Sequence, residues 1–294
     1  MLFYLIYLIG FGLCRILPRS VCYAVARRAA DFSSARSPKD LKAVRANLAI
    51  VMQTESVDPE QVREVFRQFA MYLVDFFRFS WWTPERARRW IRPADVDYVR
   101  QALEKGNGVI ALTAHLGNYE LGGAVLAMRG ISVSAAVLTH HNPRVDRFFK
   151  WQRQRAHVQG IPIQEIGRKA FLEACLSSLK HNGLLALVGD RDFFGHGIEL
   201  PFFGKPTRIP TGPAWFSLRT GAPIVPSFLV RERDGHFRFV LEPPIYPPEN
   251  LTRDEAIVEI TKDCVAAMER VIRRYPTQWY LFQPFWEPVT GVIL

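Results

Sequence analysis

The residues best able to do chemistry are His115 and Glu120, which follow a buried, strand-like run that begins at Gly108. A histidine titrates near neutrality and can act as a general base, and a carboxylate can stabilise its charged form. On one helix, residues five apart point about 140° apart, so the pair meets only if His115 precedes the helix. Gly117 and Asn118 favour this arrangement, because glycine tolerates unusual backbone angles and asparagine is a strong N-cap.

A second pair with the same spacing, His141 and Asp146, makes the pattern ambiguous by itself. It also follows an apolar run, Val133 to Leu138, and precedes a predicted helix. Either pair could equally be the capped start of a helix. The spacing alone therefore does not choose between catalysis and capping.

The full string His115-Leu-Gly-Asn-Tyr-Glu120 separates the two pairs. It resembles the signature of the bacterial acyltransferases that add secondary acyl chains to lipid A, and of relatives that acylate phosphatidylinositol mannosides. In that superfamily a His-x4-Asp/Glu motif supplies the base and its partner. The resemblance thus implies catalytic roles for His115 and Glu120 and a substrate contact for Asn118. The second pair falls where the family has an Asn-Pro helix start, here Asn142-Pro143, which favours capping there.

A charged turn, Asp190-Arg191-Asp192, follows the apolar run Leu184 to Val188. Two carboxylates could suggest a metal, but no further ligands lie nearby in sequence, and a polar turn with an internal ion pair is the alternative. The resemblance implies substrate-binding roles here, since the family carries an acidic turn at this place. One acid is expected to orient substrate or an arginine near the base.

Arginines of the segment after Pro143 are further candidates for binding substrate. A solvated basic helix face explains most of them. The resemblance implies that one arginine before Gly160 contacts substrate, with Arg153 the first choice and Arg155 the second. A guanidinium suits a phosphate or a polarised carbonyl through bidentate hydrogen bonds.

The segment from Leu200 to Trp215 resembles the family's Phe-Phe-Gly loop, which leads into a helix. Thr211 would be the N-cap of that helix, and the helix start together with Arg208 could receive a phosphate. Phe202 and Phe203 could wall an acyl channel, although periodicity alone favours a place in the core for both.

The bulk composition fits a partner that is anionic. The 294 residues carry a net charge of +10, which suits nucleic acid, an anionic membrane or acidic substrates. The four cysteines form no C-x-x-C pair and no metal-ligand cluster, so structural zinc is not expected, and a reducing, cytoplasm-facing compartment fits.

The N-terminal run Leu2 to Leu13 is apolar without a break and is followed by Arg15 and Arg19. It is shorter than the roughly 20 residues that a spanning helix needs. It also lacks the basic segment that precedes the apolar run of a signal peptide. We expect an interfacial helix on the cytoplasmic face of the inner membrane; an ordinary buried first helix is the alternative.

The periodicity predicts an α/β fold with a mixed, mostly parallel sheet flanked by helices, similar to the glycerolipid acyltransferases. Residues 1–104 are expected to form membrane-associated helices and residues 105–294 the acyltransferase core, or the two to form one continuous domain. Predicted strands are 108–114, 132–138, 161–165, 184–189, 223–231 and 236–243; predicted helices of the core are 118–129, 143–158, 168–181 and 252–275.

By resemblance, the function is transfer of an acyl chain from acyl-acyl carrier protein, or acyl-CoA, to a hydroxyl of a lipid A precursor in lipopolysaccharide biosynthesis. No bound cofactor or metal is implied, and the partners are the carrier protein, a lipid acceptor and the membrane surface. Near the C-terminus the chain departs from the lipid A enzymes, because Tyr280 to Trp286 lacks their His and Arg. The same chemistry on another glycolipid or a phospholipid is therefore an alternative.

A protein of another class, one that binds a membrane surface or nucleic acid through its charge alone, is a further alternative. The chain has no recognisable nucleic-acid motif, and its basic residues are scattered through predicted helices, so nucleic acid is not expected as a partner.

Overall fold

The computed structural model describes residues 2–92, 96–193 and 195–286. The chain opens with a series of helices: α1 (Leu2–Ile16), α2 (Arg19–Ser34), α3 (Pro38–Met52), α4 (Pro59–Phe79), α5 (Pro84–Trp90) and α6 (Asp97–Glu104). Strands and helices then alternate: β1 (Val109–Thr113), α7 (Tyr119–Met128), β2 (Val133–Val137), α8 (Pro143–Arg155), β3 (Val158–Pro162), α9 (Gly167–Lys180) and β4 (Leu184–Val188). The remainder comprises β5 (Ile198–Phe202), β6 (Lys205–Ile209), α10 (Gly212–Thr220), β7 (Ile224–Arg231), β8 (Phe237–Leu241), α11 (Arg253–Arg274) and the 3-10 turn Pro276–Gln278.

The main sheet has the strand order β3-β2-β4-β1-β7-β8, and only the β7–β8 pairing within it is antiparallel. The prediction of a mostly parallel sheet with an antiparallel edge is therefore confirmed. The strand β1 lies at the centre between β4 and β7, and all five of its residues are buried. A continuous apolar sequence is what a strand covered by helices on both faces requires.

The sequence placed β3 at 161–165, three residues late, and did not predict the β5–β6 hairpin. Strand β3 is an edge strand with exposed Gln159 and Gly160, so it lacks the apolar run that marks the inner strands. In the hairpin, Phe203 and Gly204 both have positive φ, at 52° and 77°, as a two-residue type I′ turn needs. Phenylalanine rarely adopts that conformation, which conceals the turn from sequence analysis.

The N-terminal helices pack directly on the sheet. One apolar cluster contains Phe76 and Phe79 of α4 together with Val109 and Ala111 of β1. Helix α4 begins where its sequence predicts, since the Asp58 side chain accepts a 2.8 Å hydrogen bond from the Glu60 N–H. The helical region and the sheet therefore share a hydrophobic core.

Among the helices of the described ranges, none has both the length and the apolar character that crossing a bilayer requires. The N-terminal apolar run forms the 15-residue helix α1. One face of this helix is packed, because the Phe11 ring lies 5.1 Å from the Phe148 ring of α8 and Cys14 is buried.

Candidate active site

The carboxyl ends of β1 and β4 bring His115 and Asp190 together. The two strands are parallel and adjacent, and Thr113 is paired with Val188. His115 and Asp190 each come two residues after that pair, so both side chains emerge at the same height of the sheet edge. The His115 Nδ1 atom lies 2.8 Å from Asp190 Oδ1. In α/β sheets this edge is where ligands bind.

The Asp190 carboxylate accepts further hydrogen bonds from protein donors. Its Oδ2 atom accepts the backbone N–H of His115 at 3.0 Å and the indole N–H of Trp279 at 2.9 Å. The side chain is fully buried, and burial by itself would raise its pKa. The His115 charge, the side-chain hydrogen bonds from His115 and Trp279, and the Arg191 charge outweigh burial and lower the pKa of Asp190 to about 2. Asp190 is therefore a carboxylate at neutral pH.

The C-terminal segment forms part of this site. Tyr280 N–H donates to the His115 carbonyl at 2.8 Å, and Gly117 N–H donates to the Gln278 carbonyl at 2.9 Å. Trp279 lies between these two bonds and is 3% exposed. The strand-like pairing of Leu116 with Trp279 fixes the indole against Asp190. This role of Trp279 was not predicted from the sequence, which singled out only the residues from Tyr280 onward in this segment.

The turn after His115 is shaped by Gly117 and Asn118. Gly117 has φ of +65°, and a Cβ there would lie 2.2 Å from the Leu229 carbonyl oxygen, so no other residue fits without movement. Asn118 caps α7 as predicted, accepting the Leu121 N–H at 3.0 Å. The Asn118 side chain is fully buried and lines neither of the described cavities.

Glu120 does not supply the acid that bonds to Nδ1, which corrects the geometry expected from sequence. It lies in the first turn of α7 as predicted, but its oxygens accept the Arg153 Nε–H at 3.2 and 3.1 Å. Both side chains of this ion pair are about one-tenth exposed. Burial would lower the pKa of Arg153, but the Glu120 carboxylate more than offsets it and raises that pKa. The pair therefore joins α7 to α8 through a largely buried ion pair.

A cavity of about 510 Å³ extends from His115 into the protein. Arg153 and Glu120 form one polar part of its wall, and the first turn of α10, from Thr211 to Pro213, forms another. Most of the exposed wall is apolar, with contributions from Val137, Leu138, Phe149, Ile163, Phe171 and Phe216. Such a wall suits a hydrocarbon chain whose reactive end lies at the imidazole.

A second cavity, of about 320 Å³, adjoins the first. The two share the segment from Arg191 to Phe193, and Asp190 lines the second cavity only. The outer cavity is lined in addition by Arg208 of β6 and by the C-terminal residues from Gln283 to Trp286. The dyad of His115 and Asp190 thus borders two connected spaces of different character.

The match to known proteins extends over nearly the whole chain. The family model described as bacterial lipid A biosynthesis acyltransferase matches residues 1–287. The chain belongs to this family. The membership confirms the resemblance seen in the sequence and, with it, the expectation of an acyltransferase.

Individual relatives fall into two groups by name. The chain is 27% identical to a phosphatidylinositol mannoside acyltransferase of Mycolicibacterium smegmatis, over 95% of this chain and 90% of that protein. It is 24% identical to the lipid A biosynthesis palmitoleoyltransferase of Escherichia coli K12, over 80% of this chain and 74% of that protein.

Other residues that the lipid A acyltransferase resemblance singled out lie at different distances from the cavities. Of the two arginines on α8, Arg153 lines the inner cavity, whereas Arg155 is exposed and lines neither. Arg191 lines both cavities, and Arg208 lines the outer one. Asp192 also lines both, but its carboxylate accepts the N–H groups of Gly195 at 3.1 Å and Gly197 at 2.7 Å, which orders the following loop.

Phe203 is part of the hydrophobic core and does not line the inner cavity, which corrects the expectation that it walls an acyl channel. Its ring lies 4.7 Å from Phe202 and 6.1 Å from Trp279, and it is 5% exposed. The ring belongs behind the dyad because the tight hairpin turn directs it inward, beneath Trp279. Most of the aromatic residues that do line the cavity are spread over the helices α4, α7, α8, α9 and α10, where sequence periodicity cannot distinguish a cavity wall from core.

The second His-x4-acid pair is a helix start, as its sequence context favoured. Asn142 caps α8 by accepting the Arg144 N–H at 3.0 Å, and the Asp146 carboxylate accepts the backbone N–H of His140 at 3.1 Å. The His141 side chain is exposed. The neighbouring His140, which sequence analysis passed over, lines the inner cavity. Burial, aided by the Arg153 charge, lowers the pKa of His140, so its ring is neutral at pH 7.

In the part of the chain that the structure describes, no group of three or more His, Cys, Asp or Glu side chains could hold a metal ion.

Proposed function

We propose that this protein transfers a fatty acyl chain from an acyl thioester to a hydroxyl of a glycolipid, with His115 as general base and Asp190 as its acidic partner. The single observation that carries the proposal is the 2.8 Å contact of His115 Nδ1 with a buried carboxylate, beside an apolar cavity of about 510 Å³. A base next to a space for a hydrocarbon chain is what transfer of that chain to a hydroxyl requires.

The dyad supports a direct transfer. A proton on Nδ1, shared with Asp190, leaves Nε2 as the basic atom of the ring. Nε2 takes the proton of the acceptor hydroxyl while the hydroxyl oxygen forms a bond to the carbonyl carbon of the thioester. The tetrahedral intermediate then expels the thiolate, which takes that proton from the imidazolium. Asp190 stabilises the imidazolium in between, as the acid of a catalytic triad does.

The negative charge on the intermediate's oxygen needs a donor. The first turn of α10 lines the same cavity, and the first N–H groups of any helix have no partner within it. Together with the positive end of the helix dipole, these groups could stabilise the oxyanion.

The acceptor is proposed to be a glycolipid. A lipid A precursor is the acceptor that the sequence motif favoured, and the name of the E. coli relative supports it. Phosphatidylinositol mannoside is the second candidate, favoured by a match that covers more of the chain and by the departure from the lipid A pattern after Trp279. The donor is proposed to be acyl-acyl carrier protein, because an acidic carrier suits a chain with net charge +10.

Attachment to the cytoplasmic face of the inner membrane is proposed through α1 and α2. Among the side chains of these two helices that the structure describes, eight large apolar ones are exposed: Leu5, Leu8, Ile9, Leu13, Ile16, Val21, Val25 and Phe32. Exposed arginines, Arg15 and Arg28 among them, lie on the same helices. An apolar surface with cationic neighbours suits the interface of an anionic bilayer.

Acyl transfer by purified protein is the test of this proposal. The protein would be incubated with a radiolabelled acyl thioester and, separately, a lipid A precursor, phosphatidylinositol mannoside or a phospholipid in detergent, with omission of donor or acceptor as controls. We expect an acylated glycolipid by mass spectrometry. Thioester hydrolysis alone, or acylation of none of the acceptors, would contradict it.

A further inference from the structure

The outer cavity differs from the inner cavity in the kinds of side chain that line it. Its wall combines aromatic and proline side chains, including Phe193, Phe285 and Trp286, with the guanidinium groups of Arg191 and Arg208 and the Gln283 amide. The inner cavity, in contrast, is walled mainly by aliphatic and aromatic side chains. The two meet at the segment from Arg191 to Phe193, which directly follows Asp190, the partner of His115.

The carboxylates of the outer cavity are already engaged by the protein. Asp190 bonds to His115 and Trp279, and Asp192 accepts two backbone N–H groups of the loop after it. Neither therefore needs a cation from outside.

The guanidinium groups are less fully used. Arg208 donates one hydrogen bond, at 3.0 Å, to the Gly195 carbonyl. Arg191 is half-buried, and no carboxylate of residues 2–92, 96–193 or 195–286 lies within 4.0 Å of its guanidinium. A guanidinium with five N–H donors, partly desolvated and lacking an ion-pair partner, favours an anionic ligand such as phosphate.

The geometry points to the outer cavity as the site of the donor's phosphopantetheine arm, with its phosphate at Arg191 and Arg208; this inference rests on the proposed function. When the acyl chain fills the inner cavity and its carbonyl lies at His115, the thioester sulfur is one bond from the reacting carbon. The arm on that sulfur must then leave through a space that adjoins the dyad. The apolar and amide-bearing wall suits the methyl groups and amides of pantetheine, and the two arginines suit its phosphate.

Comparison of three donors with the same acyl chain tests the inference. Acyl-phosphopantetheine carries the arm and its phosphate, acyl-pantetheine only the arm, and acyl-N-acetylcysteamine only the cysteamine end of the arm. We expect the wild-type kcat/KM to fall in that order. In Arg191→Ala, the preference for acyl-phosphopantetheine over acyl-pantetheine should fall by about tenfold, the order of one charge-assisted hydrogen bond. Arg208→Ala should reduce it as well, and Arg191→Lys, which keeps the charge, should reduce it less.

The control is Arg219→Ala, an exposed arginine of α10 that lines neither cavity, which should keep the wild-type preference. An equal loss on all three donors in Arg191→Ala would overturn the inference and assign Arg191 to the reacting carbonyl. A loss that follows a phosphate on the acceptor, measured with paired acceptors, would overturn it in favour of an acceptor site. Failure of the wild type to transfer from any donor would instead refute the proposed function.

Discussion

At the scale of single residues, the charge on Asp190 determines how readily His115 can hold a proton. The pKa of this carboxyl is lowered from 3.8 to about 2, so it is ionised throughout the neutral pH range. Asp190→Asn keeps the shape and removes the charge. We expect kcat to fall by about 10²–10⁴, the range typical of a disabled base, and the loss to persist across the pH–rate profile from pH 5 to 9.

Glu120→Gln is the matched comparison, because it removes the acid that the sequence motif designated. In the structure the Glu120 carboxylate pairs with Arg153. Glu120→Gln should therefore lower the melting temperature more than Asp190→Asn does, and it should lower kcat less than Asp190→Asn does. The opposite ranking, with kcat abolished in a stable Glu120→Gln protein, would restore the motif-based assignment.

Trp279 is expected to position the carboxylate. Trp279→Phe keeps an aromatic ring in the core but removes the 2.9 Å hydrogen bond to Asp190. The carboxylate, relieved of a donor, then attracts the imidazolium more strongly, so the acidic limb of the pH–rate profile should move to higher pH. We also expect kcat to fall by about tenfold, since one hydrogen bond to a charged group is lost.

Trp286→Phe is the control for Trp279→Phe. It removes an indole N–H that bonds to Thr207, away from the dyad, and should leave the acidic limb in place. An unmoved limb in Trp279→Phe as well would reduce Trp279 to a packing residue.

At the scale of elements, the order of strands and helices along the chain was predictable, but which strands lie side by side in the sheet was not. The apolar run from Val109 and the run from Leu184 were both identified as strands ending in polar residues. Their adjacency could not be read, because β2, β3, α8 and α9 lie between them in sequence. Since the contact of His115 with Asp190 depends on that adjacency, the sequence singled out His115 but paired it with Glu120, the nearer acid in sequence.

A buried ion cluster joins three elements and was also beyond sequence analysis. Asp75 of α4 is fully buried between Arg19, at the start of α2, and Arg231, at the end of β7, at 3.1 and 2.7 Å. The Tyr23 hydroxyl donates to the same carboxylate at 2.7 Å. Asp75 occurs within an otherwise apolar face of α4, where an acid would be expected to disrupt packing.

Asp75→Asn should therefore destabilise the fold strongly. It leaves two buried guanidinium groups without a charged partner, and we expect a loss of about 3–5 kcal/mol in the free energy of unfolding, measured with urea. Asp31→Asn removes a half-exposed acid of α2 that pairs with Arg67 of α4. This substitution should lower the free energy of unfolding by less than about 1 kcal/mol. Equal effects of the two substitutions would contradict the structural role of the buried cluster.

At the scale of the whole molecule, apolar exposure is concentrated at the N-terminal end. Helix α1 buries one face against α4 and α8 and exposes Ile9, Leu13 and Ile16, with Ile16 as much as 81% exposed. The two interpretations of the sequence, an interfacial helix and a buried one, each describe one face. Because deletion of the helix would also remove the packed face, substitution of the exposed face is the sharper test.

The triple variant Ile9→Gln, Leu13→Gln, Ile16→Gln should bind anionic vesicles at least about tenfold more weakly, since each side chain contributes of order 1 kcal/mol to transfer into the interface. Leu251→Gln, at a 44% exposed site before α11, is the control and should bind like the wild type. Cosedimentation at low and high salt would measure this. Unchanged binding of the triple variant would place the membrane contact elsewhere.

The most direct test of the whole account is the rate of acyl transfer by His115→Ala, measured with purified protein, a phosphopantetheine thioester and a glycolipid acceptor. A circular dichroism spectrum and a melting temperature close to those of the wild type would establish that the variant is folded. We expect a loss of about 10²–10⁴ in kcat, because no base then accepts the proton of the acceptor hydroxyl. His141→Ala, at the exposed histidine of the second motif, should retain the wild-type rate. A folded His115→Ala protein with wild-type kcat would contradict the central claim.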